Sequence, residues 1–199
     1  MTVIFKKEFK SIIRDKKTLI LTIIYLFVFC AAIAGSFLLQ NINPINHVFN
    51  KNDIMSIYNN VIVVQYIVLF LLTPFIIYLN IKNDLEIDRV EYMKYMDISI
   101  LKNIYIKKTI LNIYLIILYF ITIPFGTLCV LFGGCKFNDY LMYSLFTIAS
   151  IFVVSGISTM LTILFRGSFL SLLVNYLGVV FINIFGFVVV LKEVNIVKS

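Results

Sequence analysis

Apolar and polar residues come in blocks along this chain. Five runs, 18–39, 61–79, 109–132, 140–165 and 169–191, are 19 to 26 residues long and contain no Asp, Glu, Lys or Arg. A helix rising 1.5 Å per residue needs about 20 residues to cross a hydrocarbon core roughly 30 Å thick. Membrane barrels need strands of about 10 residues that alternate polar and apolar. The runs show no such alternation. They predict an all-α membrane protein: one transmembrane domain over 1–199, built as a bundle of five helices. Pro74 and Pro124 fall inside the second and third runs. They predict kinks, which membrane helices tolerate where neighbours satisfy the freed carbonyls.

Composition sharpens this picture. Of 199 residues, 61% are hydrophobic and 14% charged, with a mean hydropathy of +1.01. Soluble domains carry about 25% charged residues. So little polar chain remains that a soluble enzyme, a nucleic-acid-binding domain and any sizeable extramembrane domain are excluded. The net charge of +7 gathers at the ends of the apolar runs. That is the pattern of a topology signal and not of a nucleic-acid surface. Six Lys and Arg precede the first run, six lie between the second and third, and Arg166 separates the fourth and fifth. Lys51, Lys136, Lys192 and Lys198 fall on the other side. Thirteen against four predicts a cytoplasmic N-terminus and an outer C-terminus in a multi-pass cell-membrane protein. Basic residues before an apolar run containing Ala32-Ile33-Ala34 also suit a cleavable signal. The length of the basic region, and the run's continuation to Leu39, favour a retained span. With no Trp in the chain, Tyr58, Tyr78, Tyr105 and Tyr140 are the candidates for an interfacial aromatic belt.

Two segments outside the runs carry their own patterns. Over 3–17, Phe5, Phe9, Ile12 and Ile13 share one helical face, and Lys7, Lys10 and Arg14 share the other. An apolar stripe with a basic back predicts a helix lying at the membrane surface. It serves either as a topology signal or as an elbow that packs beside the spans. Residues 82–108 hold six basic and five acidic side chains. Spacings such as Glu86–Arg89 and Glu91–Lys94 support a helix. Asp97-Ile98-Ser99 predicts a break and a cap for the next helix. A segment this long and mixed in sign reads as a cytoplasmic docking element, or else as a solvated loop with incidental pairs. In the fourth run, Ser155, Ser158, Thr159 and Thr162 recur at helical spacing beside Gly156. That is a small-residue stripe for helix packing, with a substrate-lining role as the other reading. Asn112, Asn175 and Asn183 are single amides expected to bond between helices.

Several chemistries lack their residues. No run carries the ionisable group that proton- or ion-coupled transport uses at membrane depth. No phosphate loop of the G-x-x-x-x-G-K-[ST] kind occurs. One histidine, His47, and three scattered cysteines offer neither a metal site nor a disulfide framework. No histidine stands in a run to serve Ser155 as a base. The chain reads as a non-enzyme, binding no cofactor itself. Any energy for transport must come from another subunit.

The order of elements resembles the membrane-spanning subunits of type-2 (ABC-2) ABC transporters. Lys7-Glu8-Phe9, followed by Arg14-Asp15, is similar to that family's lead-in to the first span. Asp84 to Met96 is similar to its segment after the second span, without the family's usual Gly-Thr. The family's frequent T-P-I-S is represented only by Met96-Asp97-Ile98-Ser99, and its members have six spans where this chain offers five. The resemblance implies a permease whose coupling helix docks a separate ABC ATPase subunit through Asp84, Glu86, Asp88, Arg89, Glu91 and Lys94. ATP and Mg would be held by that partner. Two permease subunits, identical or different, would line an export pathway. The competing expectation is a membrane interaction protein that transports nothing, such as a bacteriocin immunity or accessory protein.

Overall fold

The computed structural model describes residues 2–39, 50–95, 99–133 and 135–178, and these are helical almost throughout. The order is α1 (Thr2–Arg14), α2 (Lys16–Leu39), α3 (Lys51–Lys82), a 3-10 turn (Asn83–Leu85), α4 (Ile87–Tyr95), α5 (Ile100–Ile121), α6 (Ile123–Leu131), α7 (Phe137–Leu164) and α8 (Phe169–Gly178). Four stretches are long and apolar enough to cross a membrane: Lys16–Leu39, Lys51–Leu85, Ile100–Leu131 and Phe137–Leu164. The fifth expected span is described only as α8; residues 179–191, including Asn183, lie outside the described residues.

Element boundaries differ from the sequence expectation for local reasons. The amphipathic helix ends at Arg14 and not at residue 17. Asp15 then caps α2: its carbonyl accepts from Leu19 N at 3.0 Å and its carboxylate from Thr18 Oγ1 at 3.3 Å. A short carboxylate suits that cap position. Residues 51–60, ahead of the apolar run 61–79, already belong to α3. Asn50 and Asp53 form a reciprocal capping box, at 2.9 and 3.2 Å, that starts the helix before the apolar run begins. The third run is two helices. Pro124 sits in the first turn of α6, where its missing N–H costs nothing, and α5 stops just before it. Pro74 instead lies inside α3. Nearby, the Tyr176 hydroxyl donates to the Leu71 carbonyl at 3.1 Å. Ser99 caps α5 through Lys102 N at 3.4 Å, as its position predicts, while 96–98 lie outside the described residues.

α3 is the centre of the bundle, packed on α2 on one side and α7 on the other, with α5 closing against α1, α3 and α7. The main apolar core joins Ile12 of α1, Leu21 of α2, Ile76, Ile77 and Ile81 of α3, Ile110, Leu111 and Leu115 of α5, and Ile151 of α7. A second core sits farther along the bundle around Tyr25, Leu69, Leu118 and Tyr119. Contacts between links show which share an end. Glu8 reaches Lys107, and Gly167 lies on Lys82, so the N-terminal helix, the 82–108 segment and the 166–168 turn lie together. Lys51 lies on Gly133 at the other end. This is the alternation expected of successive spanning helices. The tyrosines divide differently from the expected belt. Tyr105 is exposed, but Tyr58 and Tyr78 are buried, and Tyr58 meets the Tyr140 ring edge-on at 6.4 Å.

The end of α7 depends on one glycine. Gly167 N donates to Thr162 O at 2.8 Å and Arg166 N to Ile163 O at 3.0 Å, a Schellman closure. Arg166 and Gly167 both have positive φ, +50° and +68°. A Cβ at Gly167 would stand 3.2 Å from the Lys82 Cα. Gly167→Ala is expected to cost about 1–2 kcal/mol from backbone handedness alone, more with the contact. Thermal unfolding in detergent should show it as a lowered midpoint, with Arg166→Gly neutral or slightly raised.

Candidate functional site

The charged end of the bundle is organised around Asp84. The 3-10 turn after α3 directs this carboxylate inward, and its side chain is 3% exposed. One oxygen accepts from Arg89 NH1 at 2.9 Å. The other pairs with Lys107 Nζ at 2.6 Å and accepts from Asn103 Nδ2 at 3.2 Å. Lys107, 10% exposed, also stands 3.7 Å from Glu8 Oε2 on α1. One carboxylate therefore ties the end of α3 to α4 and α5, and through Lys107 to α1. Both oxygens have partners, the condition for keeping a buried charge. Met93, on the inner face of α4, is buried and takes a weak contact from Asn103 Nδ2 at 3.8 Å.

This placement separates the six residues expected on the docking helix. Asp84 is not on the accessible surface; it is the buried anchor of that helix. Arg89 is half-exposed and bonds to Asp84 instead of following the Glu86 spacing. Glu86, Asp88, Glu91 and Lys94 are exposed. Beside them stand Ile87, Tyr92 and Tyr95, exposed by 75%, 59% and 88%. Along the sequence this apolar trio forms no clean amphipathic stripe. The signal available was three large apolar residues in a segment otherwise dense in charge.

Of the interfacial residues, Ile12 is buried in the main core and Phe9 packs against it. The side chains of Phe5 and Ile13 lie outside the described part of the chain. Lys10 and Arg14 are exposed. α1 thus packs on the bundle through one face and shows its basic face outward.

On α7, Ser155, Ser158, Thr159 and Thr162 are all buried. Ser155, Thr159 and Thr162 give their hydroxyls to carbonyls of their own helix at 2.7–3.0 Å. Satisfied this way, they act as small, self-contained surfaces that let neighbouring helices approach. Asn175 likewise bonds within its own helix, to Ser171 O at 2.8 Å, and not between helices as its position suggests. The interhelical polar contacts come from other residues. Gln65 on α3 donates to Tyr25 OH on α2 at 3.3 Å and to Thr122 at the α5–α6 break. Tyr119 OH donates to Ser144 on α7 at 2.7 Å, Tyr143 OH to Ile62 O at 3.1 Å, and Tyr114 OH to Thr18 O at 3.1 Å. The described residues contain no group of three or more His, Cys, Asp or Glu arranged to hold a metal ion.

Over the described residues, fold and site together define an all-helical, membrane-type protein with four stretches long and apolar enough to cross a bilayer and an ion-paired end that carries a short exposed helix. Comparison with protein-family models, curated proteins and solved structures finds no match for this chain.

Removing Asp84 leaves Lys107 buried beside Glu8 alone. Asp84→Ala is expected to destabilise by about 3–5 kcal/mol, read as a large fall in detergent unfolding midpoint. The double change Asp84→Leu with Lys107→Met should cost less than either single change, since no charge is left stranded. Ser155→Leu, overfilling a fully buried position, should cost about 1–3 kcal/mol in the same assay.

Proposed function

We propose that this chain is the membrane subunit of an ATP-driven exporter, working with a separate ATPase that docks on α4. One observation carries the proposal. A nine-residue helix stands at the ion-paired end of a membrane bundle, its root fixed by the buried Asp84 and its outer face left open. Ile87, Tyr92 and Tyr95 supply apolar and aromatic anchors there, with Glu86, Asp88, Glu91 and Lys94 around them. Protein interfaces favour that combination: aromatic anchors carry affinity, and a mixed polar rim sets register. A helix anchored to α1, α3 and α5 through one ionic node can pass a partner's movement into the bundle. The excess of Lys and Arg on the links at this end supports a cytoplasmic side for it, where ATP is. ATP and Mg belong to the partner, and a second permease subunit, identical or different, completes the pathway.

The test is recovery of the tagged chain from membranes in mild detergent, with mass spectrometry of what accompanies it. The parent chain is expected to bring an ATPase bearing a phosphate loop. Tyr92→Ala with Tyr95→Ala should reduce that recovery at least tenfold while unfolding at the parent's temperature. A folded, monodisperse parent that brings no ATPase would overturn the exporter reading in favour of a non-transporting membrane interaction protein.

A further inference from the structure

Three apolar runs meet the charged end of the bundle at one depth, and residues at their limits line a single cavity of about 310 Å3: Lys17 before the first, Leu79 closing the second and Lys107 before the third. The cavity therefore lies where hydrocarbon gives way to headgroups. Its walls carry both signs of charge. α1 contributes Glu8, and Asp15 follows directly after its last residue; Arg89 and Lys17 contribute positive charge.

These charges are not equally committed. Lys107 is held by Asp84 at 2.6 Å and Glu8 at 3.7 Å. Arg89 gives one nitrogen to Asp84 and leaves half its side chain exposed. Asp15 accepts the Thr18 hydroxyl at 3.3 Å, and among the described residues no other side chain bonds to it. Among the described ion pairs none involves Lys17. An anion alone would meet Asp15 and Glu8, and a cation alone would meet Lys17 and Arg89. A zwitterion answers both. The positive group has to donate hydrogen bonds, because carboxylates only accept. A quaternary ammonium has no N–H and is recognised by aromatic faces, which this lining lacks.

We infer that the cavity binds the headgroup of a phospholipid that pairs a phosphate with a primary ammonium. The phosphate lies on Lys17 and Arg89, and the ammonium on Asp15 and Glu8. Depth in the bilayer favours a lipid over a soluble zwitterion, and so does a second feature. An apolar groove of about 440 Å3 starts at Phe9 and Thr18, each one residue along from a cavity-lining charge. It continues past Ile23 of α2 and Ile117 and Ile121 of α5 into the span, a path for acyl chains. The inference needs only that the chain sits in a bilayer, and does not depend on an ATPase partner.

The full chain, purified and stripped of lipid, would be titrated by native mass spectrometry with three lipids. These share acyl chains and differ only in headgroup: phosphoethanolamine, phosphocholine or phosphoglycerol. The ethanolamine lipid is expected to bind about tenfold more tightly than the other two, the worth of one charge-assisted contact. Asp15→Asn keeps the helix cap and should abolish the preference over the choline lipid. Lys17→Gln should weaken all three lipids by a similar factor. An unchanged unfolding midpoint in both variants ties the losses to the cavity. Equal affinity for the three headgroups, or a preference that survives Asp15→Asn, would overturn the assignment. Competition by soluble phosphoethanolamine as strong, mole for mole, as by the lipid would overturn the lipid as occupant.

Discussion

A carboxylate shut away from water stays charged only if cations and donors replace its hydration, and Asp84 has that arrangement. Arg89, Lys107 and Asn103 converge on its two oxygens, and Glu8 shares the Lys107 ammonium. The partners come from three stretches of chain: Arg89 from α4, Asn103 and Lys107 from α5, and Glu8 from α1. The node fixes where α3 stops, how α4 lies, how deep α5 starts and where α1 rests. Ion pairs of this kind add little net stability over a well-packed apolar core, but breaking one side strands the other. What the node supplies is geometry: a short helix held in one pose at the end of a membrane bundle.

Within the bilayer section a different rule applies. Lipid tails are as apolar as Leu and Ile, so burying those side chains between helices gains little over leaving them in lipid. Close packing and polar cross-links decide the arrangement instead. α7 approaches through Ser155, Ser158, Thr159 and Thr162, whose hydroxyls mostly turn back onto their own helix. Gln65 links α2, α3 and the α5–α6 break, while Tyr119 and Tyr143 tie α7 to its neighbours. Such contacts are worth about 0.6 kcal/mol each on average, so several are needed. Those on α3, the helix that every other described membrane-length helix touches, gather at Ile62 and Gln65.

The two ends of the bundle are unlike. At one, Lys51 lies on Gly133 and the Asn50–Asp53 capping box opens α3. At the other, the node, the exposed helix α4 and a cavity of mixed charge sit side by side. Arg89 and Lys107 belong both to the node and to the cavity wall. Occupancy of the cavity and the pose of α4 therefore draw on the same charges. That is a physical route by which membrane composition and a docked partner could act on each other.

Much of the architecture was legible along the chain because bilayers impose a length and a composition on whatever crosses them. The runs at 18–39, 61–79, 109–132 and 140–165 correspond to membrane-length helical stretches. The order of the runs anticipated which links share an end, since opposite ends of a spanning helix cannot meet. The Ser99 cap, too, could be read from a hydroxyl at the right place. Tertiary structure decided the rest. Asp84 and Glu86 look alike in sequence, two acids in a charged segment. Only the 3-10 turn and the arrival of Lys107, 23 residues later, make one a buried anchor and leave the other in solvent. Tyr58 and Tyr78 sit near span ends as belt residues do, but neighbouring helices cover them. Sequence spacing records what a single helix can present to its surroundings. Which of those faces meets water, lipid or another helix depends on contacts between residues far apart along the chain, and local periodicity carries no trace of them.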